Sequence, residues 1–145
     1  MTVHIIKLSV GCESLEHLAE FQSARLRHQK AAGAGSRLFH ATRMVPKRQD
    51  EVLDGGSIYW VIRGVIQARQ RVIGFEDGTR ADGTTCCLIM LHRDLVPVRP
   101  TPRRPFQGWR YLKPEDAPED FGKAGDDVAR MPAEMRRNLA DLGLL

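Results

Sequence analysis

Residues 57–75 read SIYWVIRGVIQARQRVIGF, a 19-residue stretch with the strongest strand signal in the chain. Alternation places Ile58, Trp60, Ile62, Gly64 and Ile66 on one face and Tyr59, Val61, Arg63, Val65, Gln67, Arg69 and Arg71 on the other. That length exceeds an ordinary strand, so a bend or bulge is expected at Gly64 or near Ala68. After it, Glu76–Thr85 carries turn chemistry at Asp77-Gly78 and Asp82-Gly83, and Cys86–His92 pairs back as an antiparallel strand.

Upstream, Val3–Val10 is a short apolar run suited to a buried strand. Ser14 offers an N-cap for a helix over roughly 15–32 with the stripe Leu15, Leu18, Ala19, Gln22 and Leu26 and Phe21 at its margin. Leu38–Val45 is a second strand, and Pro46 opens a short helix, Lys47–Leu53, closed by Gly55-Gly56. Downstream, Pro97, Pro100, Pro102 and Pro105 predict an extended path that cannot donate regularly to a ladder, followed by an edge strand over Gln107–Leu112. Residues 114–145 are expected to form an acidic loop and a terminal helix from Pro132 with Met135, Leu139 and Leu142 inward. The expected class is α+β, one domain over residues 1–145. Its sheet is bent and mainly antiparallel, or a small pseudo-barrel, with helices flanking it at both ends of the chain.

Composition fits an ordinary globular chain: 42% apolar, 28% charged, net charge +4. No apolar run approaches the roughly 20 residues of a membrane helix. The start, MTVHIIKLSVG, has too short an apolar stretch and no charged leader for a signal peptide, so a cytoplasmic location is expected. Cys12, Cys86 and Cys87 are odd in number and two are adjacent, a poor disulfide framework. Charge is divided unevenly. Residues 1–113 hold 18 Lys+Arg against 10 Asp+Glu, whereas 114–145 hold 4 against 8.

The run 97–113, PVRPTPRRPFQGWRYLK, holds five cations, no acid and three of the nine aromatics. Guanidinium groups beside aromatic rings suit polyanions with flat bases. Arg103, Arg104 and Arg110 are therefore candidate phosphate contacts, and Trp109 and Tyr111 candidate stacking faces. The competing reading makes Phe106 and Trp109 core residues of a strand. Arg63, Arg69 and Arg71, together with Gln67, supply the matching wall of a basic groove with Tyr59 as a further stacking candidate, or else form a solvated sheet face or pair with Glu115, Asp116, Glu119 and Asp120. Arg43, Lys47 and Arg48 make a third basic cluster at a helix start.

Enzymatic signatures are absent: no G-x-S-x-G, P-loop, G-x-G-x-x-G or H-E-x-x-H. His17 and His28 share a helix face but lie about 16 Å apart, too far for one metal. No catalytic set, metal or cofactor is expected, and the balance is against an enzyme.

Thr42–Val72 and Arg103–Asp116 together resemble a family of small bacterial proteins defined only as a domain of unknown function, over nearly the whole chain. A short helix ending in Gly-Gly, a long bent strand, a hairpin and a late extended strand is also similar to the PUA-like group. That resemblance implies a small pseudo-barrel that binds RNA or modified nucleobases. The lysine and glutamate signature of the related ASCH branch is matched only loosely, by Pro46-Lys47-Arg48 and Glu51.

The expected function is nucleic-acid binding, RNA more than DNA, with RNA or another polyanion as partner, no membrane, and the oligomeric state left open. One alternative is a small enzyme for an anionic or nucleotide-like substrate, with His40, Asp50, Glu51 or Asp54 beside a basic pocket. The other is a protein-interaction or oligomerisation module.

Overall fold

The stretch 57–75 is a hairpin and not one bent strand. In the computed structural model, which describes residues 2–31, 33, 37–104 and 106–121, strand β3 (Ser57–Ile62) turns directly into strand β4 (Val65–Thr79). Arg63 and Gly64 have φ of 52° and 78°, and Ile62 pairs with Val65. These are the marks of a two-residue type I′ turn, whose twist matches the strands it joins. Alternation misses such a reversal because strongly apolar residues flank it, and because Arg stands where Asn, Asp or Gly usually does.

The turn moves Ile66 to the face of Tyr59 and Val61. Gln67 then forms a bulge, since Val61 pairs with Ile66 but Trp60 with Ala68, so Ala68 returns to the face of Trp60. Tyr59, Arg69 and Arg71 thus keep the common face that alternation gives them, while Ile66 does not. The left-handed backbone at Arg63 is costly for a residue with a Cβ. Arg63→Asn should raise stability by about 0.5–1 kcal/mol in urea denaturation.

The remaining elements are β1 (His4–Leu8), α1 (Leu15–Ala31), β2 (Leu38–Thr42), α2 (Gln49–Leu53), β5 (Thr85–Pro102) and β6 (Trp109–Leu112). The strands form one mixed sheet in the order β2-β5-β4-β3-β1-β6. β1 and β3 run parallel, and the other neighbours are antiparallel. The sheet is not closed, and β2 and β6 are its edges. It curls strongly nonetheless: the rings of His40 on β2 and Trp60 on β3 lie 5.9 Å apart, although three strand spacings along a flat sheet would be about 14 Å.

Side chains stitch the two edges together. The Trp109 indole N–H donates to the Met44 carbonyl (2.8 Å), and the Tyr111 hydroxyl accepts the amides of Lys47 and Arg48 (2.9 and 3.0 Å). Helix α2 starts at Gln49, with Arg48 as its N-cap, and not at Lys47 as expected.

Each face of the sheet carries its own core. The inner face gathers Ile5, Ile58, Trp60, Ile62, Ile89, Leu91 and Trp109 with Leu15 and Leu18 of α1 and Val52 of α2. The outer face gathers Ile6, Tyr59, Val61, Ile66, Val98 and Leu112, with Phe106 and Ala117 against them. Helix α1 begins as expected, with the His17 amide donating to Ser14 Oγ (3.0 Å). Its Gln22 bonds the buried Gln70 instead of an apolar neighbour.

The prolines do not keep residues 97–102 out of the sheet. β5 continues to Pro102, and Ala68 pairs with Pro97 and Val65 with Pro102. β2 covers β5 only along Cys87–Leu91, so beyond that point the outer edge of β5 needs no donor from Pro97. The Pro97 carbonyl accepts the Phe121 amide (3.0 Å) on that edge, and the Arg99 amide donates to Glu119 (2.9 Å). β4 also runs on to Thr79, leaving only Arg80–Thr84 as the turn where a longer one was expected.

Of the acidic segment, Pro114–Asp116 is a single 3₁₀ turn. The expected terminal helix from Pro132 lies outside the described residues. Among the described residues, no helix is long and apolar enough to cross a membrane.

Candidate nucleic-acid interface

The end of the sheet that carries the Arg63-Gly64 turn also receives the end of β5 and the start of β6. The Arg103 amide donates to the Gly64 carbonyl at 2.8 Å, which sets Arg103 and Arg104 beside the turn. From there the chain crosses to β6 through Phe106 and Gly108, whose φ of 68° lets it turn into the strand. Phe106 is half-buried against the outer core, and the Arg110 guanidinium lies over its ring, 5.4 Å from the centroid. Pro102, Arg103, Arg104, Phe106 and Arg110 line one open hollow.

Arg63, Arg103, Arg104 and Arg110 are all exposed, and among the described residues none has a carboxylate within ion-pair distance. Arg37, Arg43, Arg48, Arg69 and Arg99, in contrast, pair with Glu76, Asp82, Glu51, Asp120 and Glu119. Like charges gathered without counter-charge raise the local potential, and an anion relieves it.

The other residues singled out from the sequence lie elsewhere. Arg69 is not part of this end. It makes a bidentate contact with Asp120 (2.6 and 2.7 Å) and reaches Ser57 Oγ (3.2 Å), the acidic-segment pairing that was its competing reading. The pair holds the Asp120 carboxyl below its ordinary range. Arg71 is exposed and lines a shallow hollow with Arg69, Glu119 and Asp120. Arg69 and Arg71 line one hollow and Arg103, Arg104 and Arg110 another, with the Arg69 guanidinium held by Asp120, so the residues expected to share one groove are divided between two hollows.

Tyr59 is only 4% exposed and Trp109 6%, so neither offers an open stacking face. Tyr59 packs edge-on to His4 at 5.0 Å, and burial pushes its hydroxyl pKa up. Tyr111 is half-buried, edge-on to Trp109 and capped by the Arg48 guanidinium at 5.2 Å. Arg43 pairs with Asp82 and Arg48 with Glu51, while the amides of Lys47 and Arg48 serve the seam.

A family model described as a protein of unknown function (DUF1489) matches residues 5–145. The chain belongs to the DUF1489 family. No curated protein and no solved structure matches it. In this DUF1489 chain the matched span takes in the turn at Arg63, the arginine hollow and the inner face of the sheet alike.

Phe106, a core candidate in the competing sequence reading, packs half-buried against the outer core and is also the ring that accompanies the unpaired arginines. One residue of the DUF1489 chain escapes the sequence reading. Lys7 points inward: it pairs across the sheet with Trp60 and Trp109, which belong to the inner core. The signal there was a lone cation inside the apolar strand HIIKL.

His40 also faces inward. Burial lowers its pKa to about 4, and the charges acting on it are Lys7, Arg25 and Arg80, all cations. Glu51 is engaged by Arg48.

Proposed function

We propose that this DUF1489 chain is a cytoplasmic RNA-binding domain that grips the phosphate backbone with Arg63, Arg103, Arg104 and Arg110. The observation that carries this reading is the convergence of these exposed guanidinium groups on one end of the sheet with no counter-carboxylate among the described residues. Phe106, half-buried against the outer core under the Arg110 guanidinium, is the aromatic wall of the hollow. Clustered guanidinium groups beside a ring suit unpaired bases, which RNA presents in loops and ends, more than the closed stack of a duplex. A PUA-like reading of the fold goes with this proposal. The short helix α2 closed by Gly55-Gly56, the β3–β4–β5 run and the late strand β6 in a strongly curled sheet support it.

Four neutralised phosphates predict that log affinity for a single-stranded RNA falls with log salt at a slope of about −2.8. Fluorescence anisotropy with a labelled RNA oligonucleotide across a salt series measures it. The double variant Arg103→Ala/Arg104→Ala should bring the slope to about −1.4, and Arg63→Asn to about −2.1. A wild-type affinity that does not respond to salt, or variants with the wild-type slope, would refute the assignment. Duplex DNA of equal length should bind more weakly.

A further inference from the structure

On the opposite side of the sheet from Tyr59 and Phe106, between the inner face and α1, lies a cavity of about 190 Å³. Its walls are the apolar groups Leu18, Leu38, Leu91 and Phe39 with the Trp60 indole. The polar groups are Lys7, Ser9, Gln22, Arg25 and His40, and among the described residues no Asp or Glu lines it.

We propose that this cavity binds a small carboxylate of single-ring size, with Lys7 and Arg25 as its counter-charges.

Charge sets the sign of the ligand. Lys7 is half-buried, and among the described residues its ammonium has one partner, the Leu8 carbonyl at 3.1 Å, which takes one of its three donors. Burial lowers its pKa, the mark of a cation held away from water without an anion to compensate. The Arg25 guanidinium is positioned by two aromatic rings, Phe21 at 5.6 Å and Phe39 at 5.4 Å, and by the Phe39 carbonyl at 3.1 Å. Two fixed cations with no acid beside them leave the negative charge to be supplied from outside.

Shape sets the size. A dry engineered cavity of about 150 Å³ takes up benzene, so this volume admits one ring with a carboxylate and little more. The Trp60 and His40 rings stand at 88° to one another, making a corner with one flat wall and one edge. The Trp60 N–H is already committed to Gln70 Oε1 (3.1 Å), and the Gln70 amide to Gln22 and the His92 carbonyl. The indole, 5% exposed, therefore closes the cavity as a wall and offers no donor. Neutral His40 adds one donor or acceptor for an edge substituent.

The site is separate from the arginine hollow, so it stands or falls independently of RNA binding. Benzoate and its neutral isostere benzamide are the probes, used on the full chain by calorimetry and thermal shift. Benzoate should bind saturably and raise Tm with concentration. Benzamide should bind at least about tenfold more weakly, and Lys7→Met should weaken benzoate by a similar factor. Arg103→Ala/Arg104→Ala should leave benzoate binding unchanged. Equal binding of benzoate and benzamide, or benzoate binding unaffected by Lys7→Met, would overturn the proposal. Should Lys7→Met fail to fold, NMR of the wild type decides. Benzoate must shift the Trp60 indole and His40 ring signals and leave Tyr59, on the other face, in place; movement of Tyr59 alone counts against the cavity.

Discussion

Replacing Gly56 by Ala should destabilise the protein by about 3 kcal/mol and lower Tm by roughly 10 °C, one of the two largest effects expected of any single change here. A Cβ at this position would meet the backbone carbonyl oxygens of Val3 and Val52 closer than 3.0 Å. Neither oxygen can retreat cheaply. The Gly56 amide donates to Val52 (2.8 Å), its carbonyl accepts the Val72 amide (3.1 Å), and the Val3 amide is tied to the Glu51 carbonyl (3.1 Å). Gly55 makes the contrast. Its φ is +82° with nothing within 4 Å, so Gly55→Ala should cost only the left-handed strain, about 1 kcal/mol. Thermal denaturation of the two variants side by side separates them. Equal Tm values would show that the corner between α2 and β3 yields, contrary to the packing described.

The second large effect is a dependence of stability on pH that His40 carries. Its ordinary pKa of 6.5 falls to about 4 in the fold, through burial first and then Lys7, Arg25 and Arg80. Above about pH 6.5 both folded and unfolded states hold it neutral and it has no effect. As pH falls from 6.5 toward 4, the unfolded state takes up the proton and the folded state does not, so stability drops; below about 4 the loss levels off. The full loss is roughly 2–3 kcal/mol. His40→Gln should flatten the stability curve in that window when both proteins are unfolded in urea at a series of pH values. His4, whose pKa is lowered by burial and by Arg69, acts in the same direction in both proteins and cancels in the difference. So do Asp82, Asp120 and Glu51, whose carboxyls are held low by Thr84, Arg69 and Arg48. Parallel curves would show that His40 is hydrated in the folded protein.

Periodicity located nearly every element, because alternation and helical spacing are local properties of the chain. The Ser14 cap, the apolar stripe of α1 and the edge position of β6 were legible for that reason. What escaped was decided by partners distant in sequence. Arg63-Gly64 reverses the chain because Gly64 meets Arg103, 39 positions on. Pro97 is admitted to a strand because β2 stops short of it and Phe121 takes its carbonyl. For the candidate site, charge alone named Arg103, Arg104 and Arg110, but charge could not tell them from Arg69, which differs only in having Asp120 across from it. Tyr59 and Trp109 have the composition of stacking residues and the burial of core ones, a distinction made by sheet curvature.

The place of β1 in the sheet has a consequence for biosynthesis. It leaves the ribosome before either of its neighbours, Ile58–Val61 on one side and Trp109–Leu112 on the other. At about 5–20 residues per second, roughly 5–20 s pass before the second neighbour exists. Through that interval an apolar strand with Ile5 and Ile6 on opposite faces has one side unclaimed. The nascent chain therefore offers a chaperone that binds short extended apolar segments a client sequence at residues 4–8, and β6 ends that opportunity.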